Sequence, residues 1–375
     1  MERRDALRAI GAAAAASALP VGRAGAYPFP PGPAGPATIE ATIVRLQLRH
    51  TWTTTMSSSD YRDTLHVRYT RDGISGVGEG APIVRYHEDA AGARAAVERL
   101  TDYLVAADPL AFDKLLAGVV HGVPGEWAAK AAIDIAILDW VGQRHGVPIY
   151  GLFGLDPADT PLTTFSIGID TPDVTRAKVR EAAAFPLLKI KVGLDTDEAT
   201  IAAVRSVTDK PLRVDANEGW TNREIAVRKI EWLATQGVEF IEQPLPAAMI
   251  EDIAWIRDRV DMPIIADEAC LRPEDIPGLA GAYDGVNVKL DKAGGILQGY
   301  RMIQIARSLG LKTMLGCMVS SSVSVTAAAH LSPLVDYADL DGNLLIANDP
   351  YDGVTVREGK LVLPPGPGLG VTRKT

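Results

Sequence analysis

Eight short runs of β-forming residues alternate with helical segments between residues 162 and 340, and this rhythm constrains the fold more than any other feature. Strands that alternate with helices predict parallel βα units, and eight units in succession predict a closed barrel. The predicted strands are Leu162–Ile169, Leu187–Val192, Leu212–Asp215, Glu239–Glu242, Pro263–Asp267, Gly285–Leu290, Lys312–Leu315 and Val335–Asp341. The sequence therefore predicts an α/β protein organised around a barrel.

The region before the barrel has a different pattern. Ile39–Leu48 and Thr64–Tyr69 alternate apolar and polar residues, which predicts antiparallel strands, with His50–Tyr61 as a polar loop between them. A later helical segment, Glu126–His145, is apolar on nearly all sides and is expected to be buried. We predict an α+β domain over residues 38–150, the barrel over 151–344, and a C-terminal segment over 345–375 that packs back on the first domain.

The first 26 residues resemble an export signal. The pair Arg3-Arg4 precedes an alanine-rich apolar run, and small residues follow at Ala24 and Ala26. This order is the secretory pattern, and the arginine pair is similar to a twin-arginine signal. We therefore expect a signal peptide over residues 1–26, a Pro/Gly linker over 27–37, and a periplasmic or secreted protein.

Composition argues against several classes of partner and site. The chain of 375 residues has a net charge of −9 and no basic tract after its first residues, which argues against nucleic acid. No apolar run reaches the length of a membrane span. The two cysteines, Cys270 and Cys317, are too few for a disulfide framework or a cysteine-based zinc site.

The run from Leu187 to Gly193 carries two lysines in an apolar context. Alternate side chains of a strand share a face, so Lys189 and Lys191 point the same way. A half-exposed strand with solvated lysines is the ordinary interpretation, because a buried ammonium group is costly unless it is paired. The acids that follow favour a different interpretation.

Three acids end successive predicted strands. Asp215 and Glu242 are 27 residues apart, Asp267 follows after 25 and Lys289 after a further 22, each about one βα unit. These residues should therefore meet at the C-terminal mouth of the barrel, where catalytic groups sit. Each acid alone is compatible with helix capping, but three carboxylates in register repel one another unless a divalent cation joins them. Three oxygen ligands suit Mg²⁺.

Further polar residues follow two of the predicted ligands. Asn217 comes two positions after Asp215, and Glu268 comes directly after Asp267. We predict that Asn217 and Glu268 support the metal ligands, with an ordinary polar loop as the alternative for each.

Two of the lysines are predicted to flank the metal. Lys191 follows from the second strand and Lys289 from the sixth, on opposite sides. One would remove the α-proton of a metal-bound carboxylate substrate, and the other would return it to the opposite face of the resulting enediolate. A lysine base needs a pKa near the working pH, and Lys189 and the metal are expected to lower that of Lys191.

The order Lys-x-Lys, Asp, Glu, Asp, Lys resembles the enolase superfamily in its muconate-lactonizing subgroup. The resemblance implies a modified TIM barrel, (β/α)7β, with an N-terminal α+β capping domain that the C-terminal segment completes. It also implies one Mg²⁺ per subunit on the three acids, with Lys191 and Lys289 as the acid–base pair. Many barrels of this kind assemble, so a homo-oligomer is left open.

Asp339-Leu340-Asp341 ends the eighth predicted strand with two acids on one face. Paired carboxylates favour a cation, although a solvated acidic loop is the ordinary alternative. The pair resembles the Asp-x-Asp with which dipeptide epimerases hold the free ammonium group of their substrate, and Asn287–Gly295 is similar to L-Ala-D/L-Glu epimerases. The resemblance implies an isomerase that inverts the α-carbon of the C-terminal residue of a dipeptide, with murein-derived peptides as a natural pool.

One loop departs from that pattern. Ala-Glu epimerases offer an arginine from the capping loop to the glutamate side chain, whereas residues 51–59 contain none, and Arg49 and Arg62 lie at the edges. A dipeptide with another second residue is therefore open. Two rivals are also open, namely an N-acylamino acid racemase or o-succinylbenzoate synthase, whose substrates lack the ammonium group, and a non-catalytic exported peptide-binding protein.

Overall fold

The computed structural model describes residue 32 and residues 35–375. The predicted signal peptide and most of the predicted linker lie outside the described residues. The chain first forms a three-stranded antiparallel sheet and the helices that cover it. These elements are β1 (Thr38–Thr53), β2 (Ser58–Arg71), β3 (Ile74–Gly80), α1 (Ala90–Ala106), α2 (Phe112–Gly122), α3 (Trp127–His145) and the short α4 (Ile149–Leu152).

The prediction of a polar loop over His50–Tyr61 is wrong for most of that range. β1 continues to Thr53 and β2 begins at Ser58, so that only residues 54–57 form the turn. The pairing of the two strands shifts in register between Gln47 and Trp52. Threonine and serine tolerate an exposed strand, but they give no apolar alternation by which the strand could be predicted.

The barrel follows, and its eight parallel strands are neighbours in chain order. The strands are β4 (Phe165–Ile167), β5 (Leu188–Lys191), β6 (Leu212–Asp215), β7 (Val238–Glu242), β8 (Ile264–Ala266), β9 (Gly285–Val288), β10 (Lys312–Gly316) and β11 (Tyr337–Asp339). The α-helices between them are α5 (Pro172–Glu181), α6 (Asp197–Arg205), α7 (Arg223–Thr235), α8 (Ile250–Arg257), α9 (Ile276–Leu279), α10 (Leu290–Ala293), α11 (Ile296–Ser308) and α12 (Ser322–Ala329).

The predicted α/β barrel with its capping domain is confirmed. A parallel bridge between Thr163 and Ala338 brings the first and last strands together and nearly closes the sheet. Several strands are shorter than predicted, so Asp267, Lys289 and Asp341 lie just beyond strand ends rather than within strands. No described helix is both long enough and apolar enough to cross a membrane.

The helix α3 is buried along most of its length, as predicted. It lies directly on β3, where Gly76, Gly78 and Gly80 occupy alternate positions and therefore one face of the strand. A Cβ atom at any of the three would collide with backbone atoms of α3. The three glycines thus set how closely the capping sheet approaches the helix.

Three buried carboxylates on α3 and α10 hold the cap against the rest of the chain. Asp134 accepts hydrogen bonds from the backbone of Ile296 at the start of α11, and Asp291 accepts one from Ala81 of the cap. Asp139 accepts bonds from the backbone N–H groups of Val77 and Leu369. Burial raises the pKa of Asp134 and Asp291 to about 7 and that of Asp139 to about 6.

The C-terminal segment contacts both parts of the molecule. Its strands are β12 (Tyr351–Asp352), β13 (Thr355–Arg357), β14 (Lys360–Val362) and β15 (Thr372–Arg373). Residues 345–348 bond to β1, through Arg49 to the carbonyl of Leu345 and through Ala347 to the carbonyl of Gln47. The β13–β14 turn instead bonds to the start of the barrel, where Thr163 donates to the carbonyl of Gly359. The segment therefore completes the cap, while the predicted domain boundaries stay predictions.

His330 ties the end of α12 to two other parts of the chain and should make stability depend on pH. It is fully buried, its Nδ1 accepts from the Tyr150 amide at 3.3 Å, and its Nε2 donates to the Leu369 carbonyl at 3.0 Å. The bond from Tyr150 needs the neutral ring, because a protonated Nδ1 cannot accept it. Burial lowers the pKa of His330 from 6.5 to about 4 and outweighs the bond to Leu369, which favours the charged form. As pH falls from 6.5 toward 4, only the unfolded chain gains a proton, so the free energy of unfolding falls.

The effect of His330 can be measured by urea unfolding at pH 7.5 and pH 5.0. We expect wild type to lose about 2 kcal/mol more than His330→Gln between these conditions. Glutamine is the matched replacement because its amide both accepts and donates a hydrogen bond without titrating. An equal loss in the two proteins would show that His330 does not produce the acid sensitivity.

Candidate active site

The site lies at the C-terminal mouth of the barrel because alternate residues of each strand face its axis. Below the mouth, the apolar side chains Phe240, Ile265 and Met314 are fully buried inside the barrel, and the guanidinium of the buried Arg213 lies over the Phe240 ring. The next inward-facing residues toward the C-terminal ends of the strands are polar, for example Asp215 on β6 and Glu242 on β7. The polar layer therefore rests on buried side chains.

The structure brings the three predicted metal ligands together. Asp215, Glu242 and Asp267 are buried, and one carboxylate oxygen of each lies within 4.8 Å of the others. The Lys191 Nζ lies 2.6 Å from Asp215, and the Lys289 Nζ lies 2.7 Å from Asp267. Since β5 and β9 are four strands apart in an eight-stranded barrel, the two ammonium groups approach the acids from opposite sides.

Lys189 is fully buried beneath this layer. Its Nζ lies 2.7 Å from Glu242, 2.7 Å from Asp339 and 3.2 Å from Asp215. The ammonium group thus joins three carboxylates from three different strands. Burial opposes its charge, but Asp339, Glu242 and Asp215 outweigh burial and raise the pKa of Lys189 well above its ordinary value. Its predicted effect on Lys191 stays a prediction.

Three other residues hold the acids, and sequence reasoning gave none of them a role. The buried Lys292 donates from its Nζ to the Asp267 Oδ1 at 2.5 Å, and Asn287 donates to the Glu242 Oε1 at 2.8 Å. The Gln243 side-chain oxygen accepts from the Asp267 amide at 3.0 Å. A place for Asn287 at the site could have been predicted, because it lies two residues before Lys289 and its side chain therefore faces the same way.

The acids differ in how easily they ionise. Burial raises the pKa of all three, but Lys191 and Lys189 outweigh it at Asp215, and Lys289 and Lys292 outweigh it at Asp267, so both values are lowered. At Glu242 burial and the charge of Asp215 dominate and raise the pKa to about 7. Lys289 in turn has a raised pKa, since Asp267 outweighs the burial that opposes its charge.

The donor set fits a divalent cation. Six buried carboxyl groups face four buried ammonium groups, so full ionisation leaves two negative charges in excess. The carboxyl groups are Asp215, Glu242, Asp267, Glu268, Asp339 and Asp341, and the lysines are Lys189, Lys191, Lys289 and Lys292. The Glu242 Oε2 receives no aligned hydrogen bond within residues 35–375, although it lies near the Lys189 ammonium. A set of donors made only of carboxylate oxygens is what Mg²⁺ prefers.

Asn217 and Glu268 lie together at the mouth, as neighbours of the acids. The Asn217 amide group donates to the Glu268 Oε1 at 3.1 Å, and the backbone N–H of Asn217 donates to Asp215 at 2.8 Å. Burial and the charge of Asp267 raise the pKa of Glu268 to about 8. Among the described residues, the Asn217 Oδ1 and the Glu268 Oε2 have no hydrogen-bond partner. Both atoms are therefore free to meet a ligand.

Asp339 and Asp341 both line the cleft, but their surroundings differ. Asp339 accepts hydrogen bonds from Lys189, Thr164 and Ser166. Burial opposes the ionisation of Asp339, but the Lys189 ammonium outweighs burial and lowers the pKa of Asp339. Asp341 accepts from the Ser166 amide at 2.5 Å, while burial and the charge of Asp339 raise its pKa to about 7. Asp341 therefore has the greater unmet demand for a cation.

The cap closes over these groups and leaves a cleft of about 620 Å³. The β1–β2 hairpin contacts the mouth at two residues. The carbonyl of Thr53 accepts from the backbone N–H of Ile169, and the Thr55 hydroxyl donates to the Asn217 carbonyl at 2.6 Å. Arg85 forms a bidentate pair with Glu218 at 2.7 and 2.9 Å. The cleft lies between the hairpin and the lysines, and its lining includes Ser57, Ser58, Ser59, Arg62, Lys191, Lys289 and Asp341.

Fold and site together define a capped β/α-barrel protein with a metal-type acid cluster between two lysines. Residues 38–154 match the family described as mandelate racemase/muconate lactonizing enzyme, N-terminal domain, and residues 174–374 match the family described as enolase C-terminal domain-like. The chain belongs to the enolase superfamily, in the mandelate racemase and muconate lactonizing enzyme group.

Relatives with named activities cover most of the chain. An L-Ala-D/L-amino acid epimerase of Pedosphaera parvula is 45% identical over 88% of this chain and 97% of its own. An L-Ala-D/L-Glu epimerase of Bacteroides thetaiotaomicron is 39% identical over 88% of this chain and 86% of its own. A dipeptide epimerase of Enterococcus faecalis V583, solved with Mg and L-Leu-L-Tyr, is 31% identical, has a TM-score of 0.84, and is matched over 91% of this chain and 100% of its own.

Proposed function

We propose that this protein is a magnesium-dependent dipeptide epimerase that inverts the α-carbon of the C-terminal residue. The observation that carries the proposal is the placement of Lys191 and Lys289 on opposite sides of one carboxylate cluster. Inversion requires a proton to leave one face of a carbon and return to the other, and one acid–base group on each face is a direct way to achieve this. The names of the related epimerases support a dipeptide, rather than another carboxylate, as the substrate.

Asp215, Glu242 and Asp267 hold the ion in this scheme. A Mg²⁺ ion held by these three carboxylates would supply positive charge to stabilise the negative charge that develops at the substrate carboxylate. One lysine accepts that proton as a neutral amine, and the other donates a proton as an ammonium group. Lys292 and Asn287 keep the acids oriented through the hydrogen bonds that they donate to Asp267 and Glu242.

Exchange with solvent tests the proposal directly. A set of L,L-dipeptides is incubated with the protein and Mg²⁺ in deuterated water, and the products are analysed by mass and by chiral separation. We expect a gain of one mass unit at the C-terminal α-carbon together with formation of the L,D epimer. Failure of every dipeptide to exchange would refute the proposed function.

Asp341 is expected to distinguish dipeptides from N-acylated amino acids. A free ammonium group would form a charge-assisted bond with Asp341, which is worth about 1.5–3 kcal/mol. Asp341→Asn should therefore raise the KM for a dipeptide by about 10- to 100-fold. It should change the KM for the N-acetylated form of the same dipeptide much less, because that form carries no ammonium group.

The control for Asp341 is Asp339→Asn. Asp339 is already bonded to Lys189, so its loss should disturb the acid cluster and lower turnover of the free and N-acetylated dipeptides alike. Steady-state kinetics on both substrates separates the two variants. A wild type that prefers the N-acetylated form would instead support the N-acylamino acid racemase.

We also propose that the protein is exported to the periplasm or beyond, where murein-derived peptides would be its substrates. The support is the twin-arginine-like order of residues 1–26. Fractionation of cells that produce the full chain tests this. An Arg3→Lys, Arg4→Lys double variant should stay in the cytoplasm, because the twin-arginine pair is the address that the export machinery reads.

A further inference from the structure

The first residue of α6, Asp197, is a buried acid outside the carboxylate cluster at the mouth of the barrel. Its Oδ1 accepts from the backbone N–H groups of Gly193 and Leu194, at 2.8 and 2.9 Å. Its Oδ2 accepts from the Trp220 indole at 2.8 Å and from the Lys229 ammonium group at 2.9 Å. One carboxylate thus joins the loop after β5 to the loop after β6 and to α7.

The bonds to Asp197 are not those of an ordinary helix cap. An acid at the start of a helix usually accepts from the free N–H groups of that helix. The four bonds to Asp197 come instead from residues outside α6. The side chain therefore holds the loops at the mouth of the barrel rather than its own helix.

The backbone that follows Lys191 is confined on several sides. Lys191 is the last residue of β5, and Gly193 has a φ of +109°, which favours glycine. A Cβ atom at Gly193 would lie 2.3 Å from the Ala216 carbonyl oxygen and 2.6 Å from the Thr55 methyl group. The β6–α7 loop and the cap thus pack against this backbone, and Asp197 bonds it from a further side.

We propose that Asp197 is a positioning residue for Lys191, which it holds against one face of the substrate α-carbon through the loop after β5. The inference rests on the proposed function. Proton transfer depends on placement, and an error of about 1 Å can lower a rate by about 100-fold. Lys191 therefore needs a fixed backbone at the end of its strand, and the bonds to Asp197 fix it.

The effect of Asp197 should be confined to one lysine. Lys289 follows β9, four strands away from β5, and the bond from Ala81 to Asp291 ties the helix after it to the cap at 2.7 Å. The four bonds to Asp197 involve neither β9 nor α10. Loss of these bonds should therefore disturb the face that Lys191 serves and spare the face that Lys289 serves.

The test follows exchange of the substrate α-proton in deuterated water by proton NMR, with the full chain and Mg²⁺, from the L,L and the L,D dipeptide in turn. Lys191→Ala first identifies the epimer whose exchange depends on Lys191. Asp197→Asn keeps the shape of the side chain but cannot accept all four hydrogen bonds. We expect it to slow exchange of that epimer by about 10- to 100-fold and to leave the other epimer near its wild-type rate.

The matched control is Glu198→Gln, because Glu198 is the exposed neighbour of Asp197 and also lies 3.3 Å from the Lys229 ammonium group. Both epimers should exchange in this variant as they do in wild type. Double variants separate positioning from folding. Added to Lys191→Ala, Asp197→Asn should not change the remaining exchange, whereas added to Lys289→Ala it should slow the remaining exchange by about 10- to 100-fold.

If Asp197→Asn does not fold, Trp220→Phe takes its place, because it removes only one of the four bonds. It should slow the Lys191-dependent epimer by about 2- to 10-fold and spare the other.

The outcomes distinguish this inference from the proposed function. An equal fall in the exchange of both epimers would show that Asp197 contributes to stability alone, and an unchanged rate for the Lys191-dependent epimer would show that it does not position the lysine. Either result overturns the inference while the epimerase stands. If wild type exchanges neither epimer of any dipeptide, the proposed function fails and the inference fails with it.

Discussion

Lys289→Ala is expected to lower epimerisation by about a thousand-fold, within the range that general acid–base groups contribute. Yet the variant should still exchange the α-proton of one of the two epimers. Lys191 remains on its own side of the acid cluster, where it can remove and return the proton on a single face. Proton NMR in deuterated water, begun separately from the L,L and the L,D dipeptide, measures the two exchange rates.

The variant at the other lysine tests the opposite face of the substrate. Lys191→Ala should keep exchange with the epimer that Lys289→Ala cannot process, because each lysine serves one face. Lys114→Ala removes an exposed lysine on α2 and should behave like wild type. If either active-site variant exchanged both epimers at the wild-type rate, a single base would suffice and the two-lysine scheme would be wrong.

The barrel and its acid cluster were predictable because they depend on local patterns that recur. Each strand–helix unit is about 25 residues long, so the acids at its strand ends fall at nearly constant spacing. Side-chain alternation then settles which residues face inward, as it did for Lys189 and Lys191. Neither inference needs knowledge of a contact between distant parts of the chain.

Pairings between distant residues were not predictable. Lys189 bonds Asp339, which lies 150 residues away, and this contact exists only because barrel closure brings the last strand close to the second. The two acids of Asp339-Leu340-Asp341 are equivalent in the sequence, yet only Asp339 meets the Lys189 ammonium. Their different demand for a cation is thus a property of the closed barrel.

Arg62 illustrates a further limit. In the sequence it stands between Tyr61 and Asp63, so a local ion pair is the obvious expectation. The strand sends the two charges to opposite faces, and Asp63 meets Arg45 across the sheet. The polar loop prediction hid this, because a residue at the edge of a loop has no defined face.

Glu242→Gln is expected to abolish the response of the protein to magnesium. An ion that binds only the folded state stabilises it by about 2.7 kcal/mol at a hundred times its Kd. For a chain of 375 residues this should raise the unfolding midpoint by about 3 °C. In the variant one of three carboxylate ligands becomes a neutral amide, so we expect almost no shift and a turnover lowered about a thousand-fold.

The metal-free protein provides the control for folding in this experiment. Burial and the charge of Asp215 oppose ionisation of Glu242, so at pH 8 the amide should leave the metal-free midpoint equal to that of wild type or higher. Glu231→Gln, at an exposed position of α7, should keep the full magnesium shift. Thermal unfolding of the three proteins with and without MgCl₂ measures these effects. An undiminished shift in Glu242→Gln would place the ion elsewhere and remove Asp215, Glu242 and Asp267 as its ligands.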